Sequence, residues 1–145
     1  MTYLVVNGPN LNNLGQRDPL VYGTLTLKEI EERIKERAQK LGVNISFFQS
    51  NVEGAIIDYL QQNGPSSQGV IINPGAYAHY SLALRDSMAD LQVPVIEVHL
   101  TNIYAREPFR HHSVTAGVAK GQVSGLGWYG YAAALQYLVE QDQEG

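Results

Sequence analysis

Short apolar runs at residues 3–6, 44–48, 69–72, 95–100 and 117–123 punctuate the chain, and stretches with helical periodicity fill most of the gaps between them. Runs this short, rich in β-branched and aromatic side chains, have the length and character of buried strands. Between the first two, Leu27, Ile30, Ile34, Ala38 and Leu41 recur at helix spacing, opened by Thr26-x-x-Glu29 as a capping box and closed by Gly42. A second capping box, Ser50-x-x-Glu53, predicts a helix carrying Ile56, Ile57 and Leu60 that stops at Asn63-Gly64-Pro65. Residues 81–91 and 130–141 read as two more helices. Strands alternating with helices imply βαβ units with right-handed crossovers. The expected fold is therefore α/β: a flavodoxin-like, doubly wound, five-stranded parallel sheet with helices on both faces. At 145 residues, with no repeat or linker, residues 1–145 are expected to form a single domain.

Composition narrows the chemistry. With no cysteine there are no disulfides, no thiolate metal site and no cysteine nucleophile. A net charge of -4 and a pI near 5.5 offer no electrostatic footprint for nucleic acid or an anionic membrane, although a local basic pocket for a small anion is compatible with both. The first six residues have no basic n-region and run directly into Asn7-Gly8-Pro9, so no signal peptide or membrane span is expected and the protein reads as cytoplasmic.

In a doubly wound sheet, ligands bind beyond the carboxyl ends of the strands. The residues there are unusually polar: Asn7-Gly8-Pro9-Asn10 after the first run, Asn73-Pro74-Gly75-Ala76-Tyr77-Ala78-His79 after the third, and Glu97, His99 and Thr101-Asn102 at the fourth. Residues 7–23 lack clear periodicity, and a connection that long favours a lid over residues 10–23, with Gly15 and Gly23 as hinges. Within it lie Arg17 and Tyr22. A loop tyrosine is ordinarily a packing residue; for a phenol of pKa about 10 to serve as a base near neutrality, its anion needs about 3 to 4 kcal/mol of extra stabilisation. One guanidinium at about 4 Å supplies about 4 kcal/mol at an effective dielectric near 20, before desolvation acts the other way. Arg17, or an arginine from the basic stretch around Arg106 and Arg110, is placed to do this.

Glu97 and His99, two residues apart, project from the same face of a strand, as a carboxylate orienting an imidazole for acid catalysis requires; a purely structural buried pair has the same spacing. Asn73-Pro74-Gly75 has turn chemistry, and Arg85-Asp86 reads as a solvated helix face. Residues 106–112 concentrate cations suited to a substrate carboxylate, or form an exposed basic loop. Adjacent His111 and His112 diverge, so no metal site is expected. Gly125-x-Gly127-x-x-Gly130 mimics a dinucleotide fingerprint, but only 15 residues follow it, leaving no room for the next strand and its ribose-binding acid; close helix-to-sheet packing is the better reading.

Taken together, these segments resemble the type II 3-dehydroquinate dehydratases across nearly the whole chain. The matching motifs are Gly8-Pro-Asn-Leu-Asn12, Arg17-x-Pro19-x-x-Tyr22-Gly23, Ser50-Asn51 with Glu53-Gly54, and Asn73-Pro-Gly-Ala-Tyr77 with His79. Ala83-Leu-Arg-Asp86, Glu97-x-His99-Leu-Thr-Asn102, Arg106-Glu107 with Phe109-Arg110, and Gly125-x-Gly127 follow in the same order. Asn13 and Val52 depart from the family pattern, at positions with no chemical role. The resemblance implies a cofactor-independent hydro-lyase, in shikimate-pathway biosynthesis or quinate breakdown. In it Tyr22 is the base, Arg17 its activator with help from Arg106, Asn10 a stabiliser of an enolate, and His99, oriented by Glu97, the acid. It implies substrate contacts from Asn73, His79, Arg110 and the Leu100-Thr101 backbone, and a dodecameric assembly in which Asp86 reaches a neighbouring subunit. The lysine Schiff-base route to the same product is disfavoured, because Lys28, Lys35 and Lys40 lie off the apolar face of their helix and Lys120 falls within the fifth run. Two other readings of the fold are an FMN-binding protein, for which the first loop lacks hydroxyl residues, and a phosphoacceptor module, for which Asn73 stands where an aspartate is needed.

Overall fold

A computed structural model describes residues 1–144. Five strands, β1 (Thr2–Asn7), β2 (Asn44–Gln49), β3 (Gly69–Asn73), β4 (Val95–His99) and β5 (Gly121–Ser124), form one all-parallel sheet in the order β2-β1-β3-β4-β5. The chain turns to one side of β1 and then returns to the other, so the strand order reverses between β1 and β3. A crevice opens at their carboxyl ends, where Asn7 and Asn73 stand side by side.

Helices α2 (Leu27–Leu41) and α5 (Tyr129–Glu144) cover one face, and α3 (Glu53–Asn63) and α4 (Leu82–Asp90) the other. The α2 helix is built as its sequence predicts: the Thr26 hydroxyl accepts from Glu29 N, the Glu29 carboxylate accepts from Thr26 N, and Gly42 closes the helix in the left-handed region. Ile30, Ile34 and Ala38 turn inward against Tyr3, Val5 and Leu135. Leu4, Val6, Val70 and Ile72 point to the opposite face and meet Ile56, Leu60, Leu84 and Met88. Each fully buried aliphatic side chain contributes about 1.5 to 3 kcal/mol.

Several expectations need correction. Residues 116–118 form a 3₁₀ turn and the fifth strand begins only at Gly121, because the backbone from Ala116 to Val118 is coiled; Lys120 precedes the strand, its N–H donating to the Val95 carbonyl at 2.7 Å where the pairing with β4 starts. The second capping box does not form. Val52 is the N-cap of α3, the Ser50 hydroxyl accepts from Val52 N, and the Glu53 carboxylate instead accepts from the Ser81 hydroxyl at the start of α4. Residues 7–23 are not featureless either: Leu11–Asn13 form a 3₁₀ turn and Pro19–Tyr22 a single helical turn, α1, capped by Asp18. Leu11 and Leu14 anchor this segment in the core, while Asn13 and Val52 are both exposed, so the departures from the family pattern touch no packing. At Gly130 a Cβ would stand 3.1 Å from Val98 Cγ1 and 3.4 Å from Val123 Cγ1, so this glycine lets α5 close on the sheet, as expected of the false dinucleotide motif.

Candidate active site

One cavity lies over the carboxyl ends of β1, β3 and β4, and its lining includes every sequence-predicted residue except Glu97 and Asp86. The loops that form it are held tightly together. A Cβ at Gly8 would come within 2.5 Å of the Pro74 carbonyl oxygen, so only glycine allows the two loops to meet. Asn10 is the one described non-glycine residue with positive φ (69°), a conformation asparagine tolerates better than most, and its backbone N–H donates to Asn51 Oδ1 at 3.0 Å.

Tyr22 stands at the end of α1 with its hydroxyl between two guanidiniums. Arg17 Nη2 donates to it at 2.8 Å and Arg106 Nη2 at 2.7 Å. The Arg17 guanidinium also lies 3.7 Å from the ring centroid. Sequence reasoning left open which arginine meets the tyrosine; both do, 5 and 84 residues away along the chain. Arg106 is braced in turn by Thr101 Oγ1 at 3.2 Å and by Glu107, which also accepts from Arg110 Nε at 3.1 Å. The Glu107 backbone N–H and the Arg110 guanidinium hold that carboxyl below the usual carboxylate range.

Glu97 and His99 meet as their spacing predicts, with His99 Nε2 2.8 Å from Glu97 Oε2. Glu97 is completely buried. Burial pushes its carboxyl up, but hydrogen bonds from His99, Thr115 and Gln122, together with the imidazole charge, outweigh burial and leave it below its ordinary value. Ser113, Thr115 and Gln122 were missed by sequence reasoning. Gln122 faces Glu97 only through the register of β4 with β5, and a hydroxyl in a loop has no signature of its own.

The His79 ring lies 6.3 Å from that of His99 at an interplanar angle of 20°. Its Nδ1 is 2.9 Å from the His112 carbonyl oxygen, which only accepts, so Nδ1 carries a proton and Nε2 remains as an acceptor when the ring is neutral. Burial pushes the His79 imidazole below its ordinary 6.5, against the His112 hydrogen bond. A folded-state value below the unfolded one means that the fold favours neutral His79; this contribution is present above pH 6.5 and lost as pH falls through the folded value. Glu97 acts in the same sense below its ordinary 4.5. Thermal midpoints measured from pH 7 downward should therefore fall in two stages, and His79→Gln should remove the upper stage alone.

Asn73 is fixed from behind. Its Oδ1 accepts from Gly75 N at 3.1 Å, which makes the expected turn, and its Nδ2 donates to Tyr131 at 3.1 Å. The Tyr131 hydroxyl donates to Asn7 Oδ1 at 2.6 Å, and burial pushes it well above the ordinary tyrosine range. The second Nδ2 proton of Asn73 remains for a ligand. Asp86 lies on the exposed face of α4, 3.5 Å from Arg85 and outside this cavity. Two cationic donors on a phenol, a carboxylate-backed imidazole and converging amides can remove a proton from one carbon and deliver one to a departing oxygen.

A family model described as Dehydroquinase class II matches residues 1–139. A 3-dehydroquinate dehydratase from Roseiflexus castenholzii is 58% identical over 139 residues, 96% of this chain and 88% of that one. The crystal structure of a type II dehydroquinase from Propionibacterium acnes superposes with a TM-score of 0.93 at 41% identity, covering 96% of each chain. That from Butyrivibrio crossotus gives the same TM-score at 44% identity, covering 95% of this chain and 97% of its own.

Proposed function

Because this chain belongs to the class II dehydroquinase family, we propose that it is a hydro-lyase converting 3-dehydroquinate to 3-dehydroshikimate and water. The observation that carries the mechanism is the Tyr22 hydroxyl bonded to both Arg17 and Arg106 in the cavity that also holds His99. Ionised Tyr22 takes the proton from C2, beside the ketone, and the C–H electrons move onto the carbonyl oxygen as an enolate. Asn10 positions a water or a polar contact to that oxygen, stabilising charge as it develops. The enolate collapses with cleavage of the C1–O bond, and His99 protonates the departing hydroxyl, so water leaves by anti elimination. Asn73, His79, Arg110 and the Leu100-Thr101 backbone bind the substrate. No described lysine lines the cavity, which supports a route without a Schiff base.

Residues 10–23 form a lid on this single catalytic domain, anchored by Leu11 and Leu14 and moving between Gly15 and Gly23, whose φ values are +92° and +75°. Asp86, exposed and away from its own cavity, serves a neighbouring subunit of a homo-oligomer, a dodecamer built from trimers. The enzyme belongs in the cytoplasm and in aromatic amino-acid biosynthesis, with quinate breakdown as the alternative role; no described helix is long and apolar enough to cross a membrane.

The direct test is absorbance of the conjugated enone formed from 3-dehydroquinate; no product with the purified protein would overturn the assignment. Restored growth of an aromatic auxotroph would support the biosynthetic role. The two arginines make a sharper prediction. Each guanidinium donates to the Tyr22 oxygen, so Arg17→Ala and Arg106→Ala should each slow turnover of 3-dehydroquinate. The double variant should slow it further, and unchanged turnover in both single variants would remove the two arginines as activators of Tyr22.

A further inference from the structure

Glu97 is surrounded by donors alone. Oε2 accepts from His99 Nε2 at 2.8 Å, Gln122 Nε2 at 2.9 Å and Ser113 Oγ at 3.3 Å, while Oε1 accepts from Thr115 Oγ1 in a short hydrogen bond. The Ser113 hydroxyl oxygen already accepts from Ala116 N at 2.9 Å and Thr115 N at 3.3 Å, so its proton goes to the carboxylate or is shared with Thr115 Oγ1, 3.2 Å away, which itself donates to Oε1. An ionised carboxylate accepts only, which suits four neighbouring donors. A proton on Oε2 would face the Gln122 amide, which can only donate, and would compete there with the His99 Nε2–H.

We infer that Ser113, Thr115 and Gln122 are positioning residues for the dehydration, holding Glu97 as an anion so that His99 must donate through Nε2 and present Nδ1 to the substrate. The inference rests on the proposed roles of Glu97 and His99. Its chemical content is the location of one proton. With Glu97 ionised, the proton that protonates the leaving hydroxyl departs from Nδ1, and the ring keeps its orientation through Nε2–H afterwards. If Glu97 loses donors, burial favours its neutral form. It then takes the Nε2 proton and leaves a neutral imidazole, whose Nδ1–H is a far weaker acid than that of the imidazolium. The titratable groups acting on the carboxyl are His99, bonded to it, and His79, stacked on the His99 ring. None of the three positioning residues lines the cavity, so their loss should spare substrate binding.

The test combines steady-state kinetics on 3-dehydroquinate with the ¹³C titration of the Glu97 side-chain carboxyl in Thr115→Val, Thr115→Ser and Gln122→Leu. In Thr115→Val and Gln122→Leu, kcat is expected to fall by about tenfold or more with KM within about twofold of wild type, since an imidazole that has lost its charge to Glu97 is a poorer acid but an unchanged neighbour of the substrate. The Glu97 carboxyl should titrate about one pH unit higher for each donor removed. Thr115→Ser, which keeps the hydroxyl, should restore both. An unmoved carboxyl titration, a rise in KM without a fall in kcat, or equal damage in Thr115→Ser would overturn the assignment. If the wild-type protein fails to turn over 3-dehydroquinate, the proposed reaction falls, and the carboxyl titration by itself decides whether these donors hold the anion.

Discussion

Tyr22→Phe is expected to lower kcat for 3-dehydroquinate by about 100- to 10,000-fold, the usual contribution of a positioned general base. The substitution removes one oxygen, and the partners of that oxygen are Arg17 and Arg106. The ring packs partly against the core and is kept, so the thermal midpoint should change little. The two arginines, both half-buried, regain water in place of the phenol. Activity is thus separated from folding in one variant. A rate within about threefold of wild type would be far below what loss of the base requires and would assign proton abstraction to another group.

His99→Ala should have a comparable effect on turnover, again about 100- to 10,000-fold, but with a different stability signature. Glu97 is wholly buried and in the variant keeps only the neutral donors Ser113, Thr115 and Gln122, so at neutral pH its charge is left without the one titratable group bonded to it. Breaking a buried pair in this way typically costs about 3 to 5 kcal/mol. At the lower figure the thermal midpoint should drop by about 6 to 12 °C for a domain of this size. Calorimetry beside the rate assay checks both parts. Loss of turnover with an unchanged midpoint would mean that the buried carboxyl takes up a proton in the variant, and retained turnover would remove His99 as the acid.

How far the site was legible depends on how its residues are related along the chain. Glu97 and His99 were legible because strand geometry places every second residue on one face, whatever the sheet does. Tyr22 with Arg17 was legible as a candidate because both lie in one polar segment, but Arg106 reaches the same hydroxyl from 84 residues away and only folding brings it there. Ser113 and Thr115 carried no signal, since hydroxyls in a loop are ordinary solvated residues, and Gln122, though within a strand run, could not be paired with Glu97 until the β4–β5 register set them side by side. The failed capping box at Ser50 has a similar origin: Glu53 has a tertiary partner in Ser81, and that contact displaces the local one.

The alternation of apolar runs with capped helices determined by itself the α/β class, the parallel sheet and the edge at which a ligand binds, because these follow from period, length and handedness, which are local properties of the chain. Tertiary structure alone decided that two guanidiniums share one phenol, that Glu97 sits in a shell of four donors, and that Asn73 is braced by Tyr131 and Asn7. Those arrangements join residues far apart in sequence, and their energies depend on distance and burial, which take values only once the strands are in register.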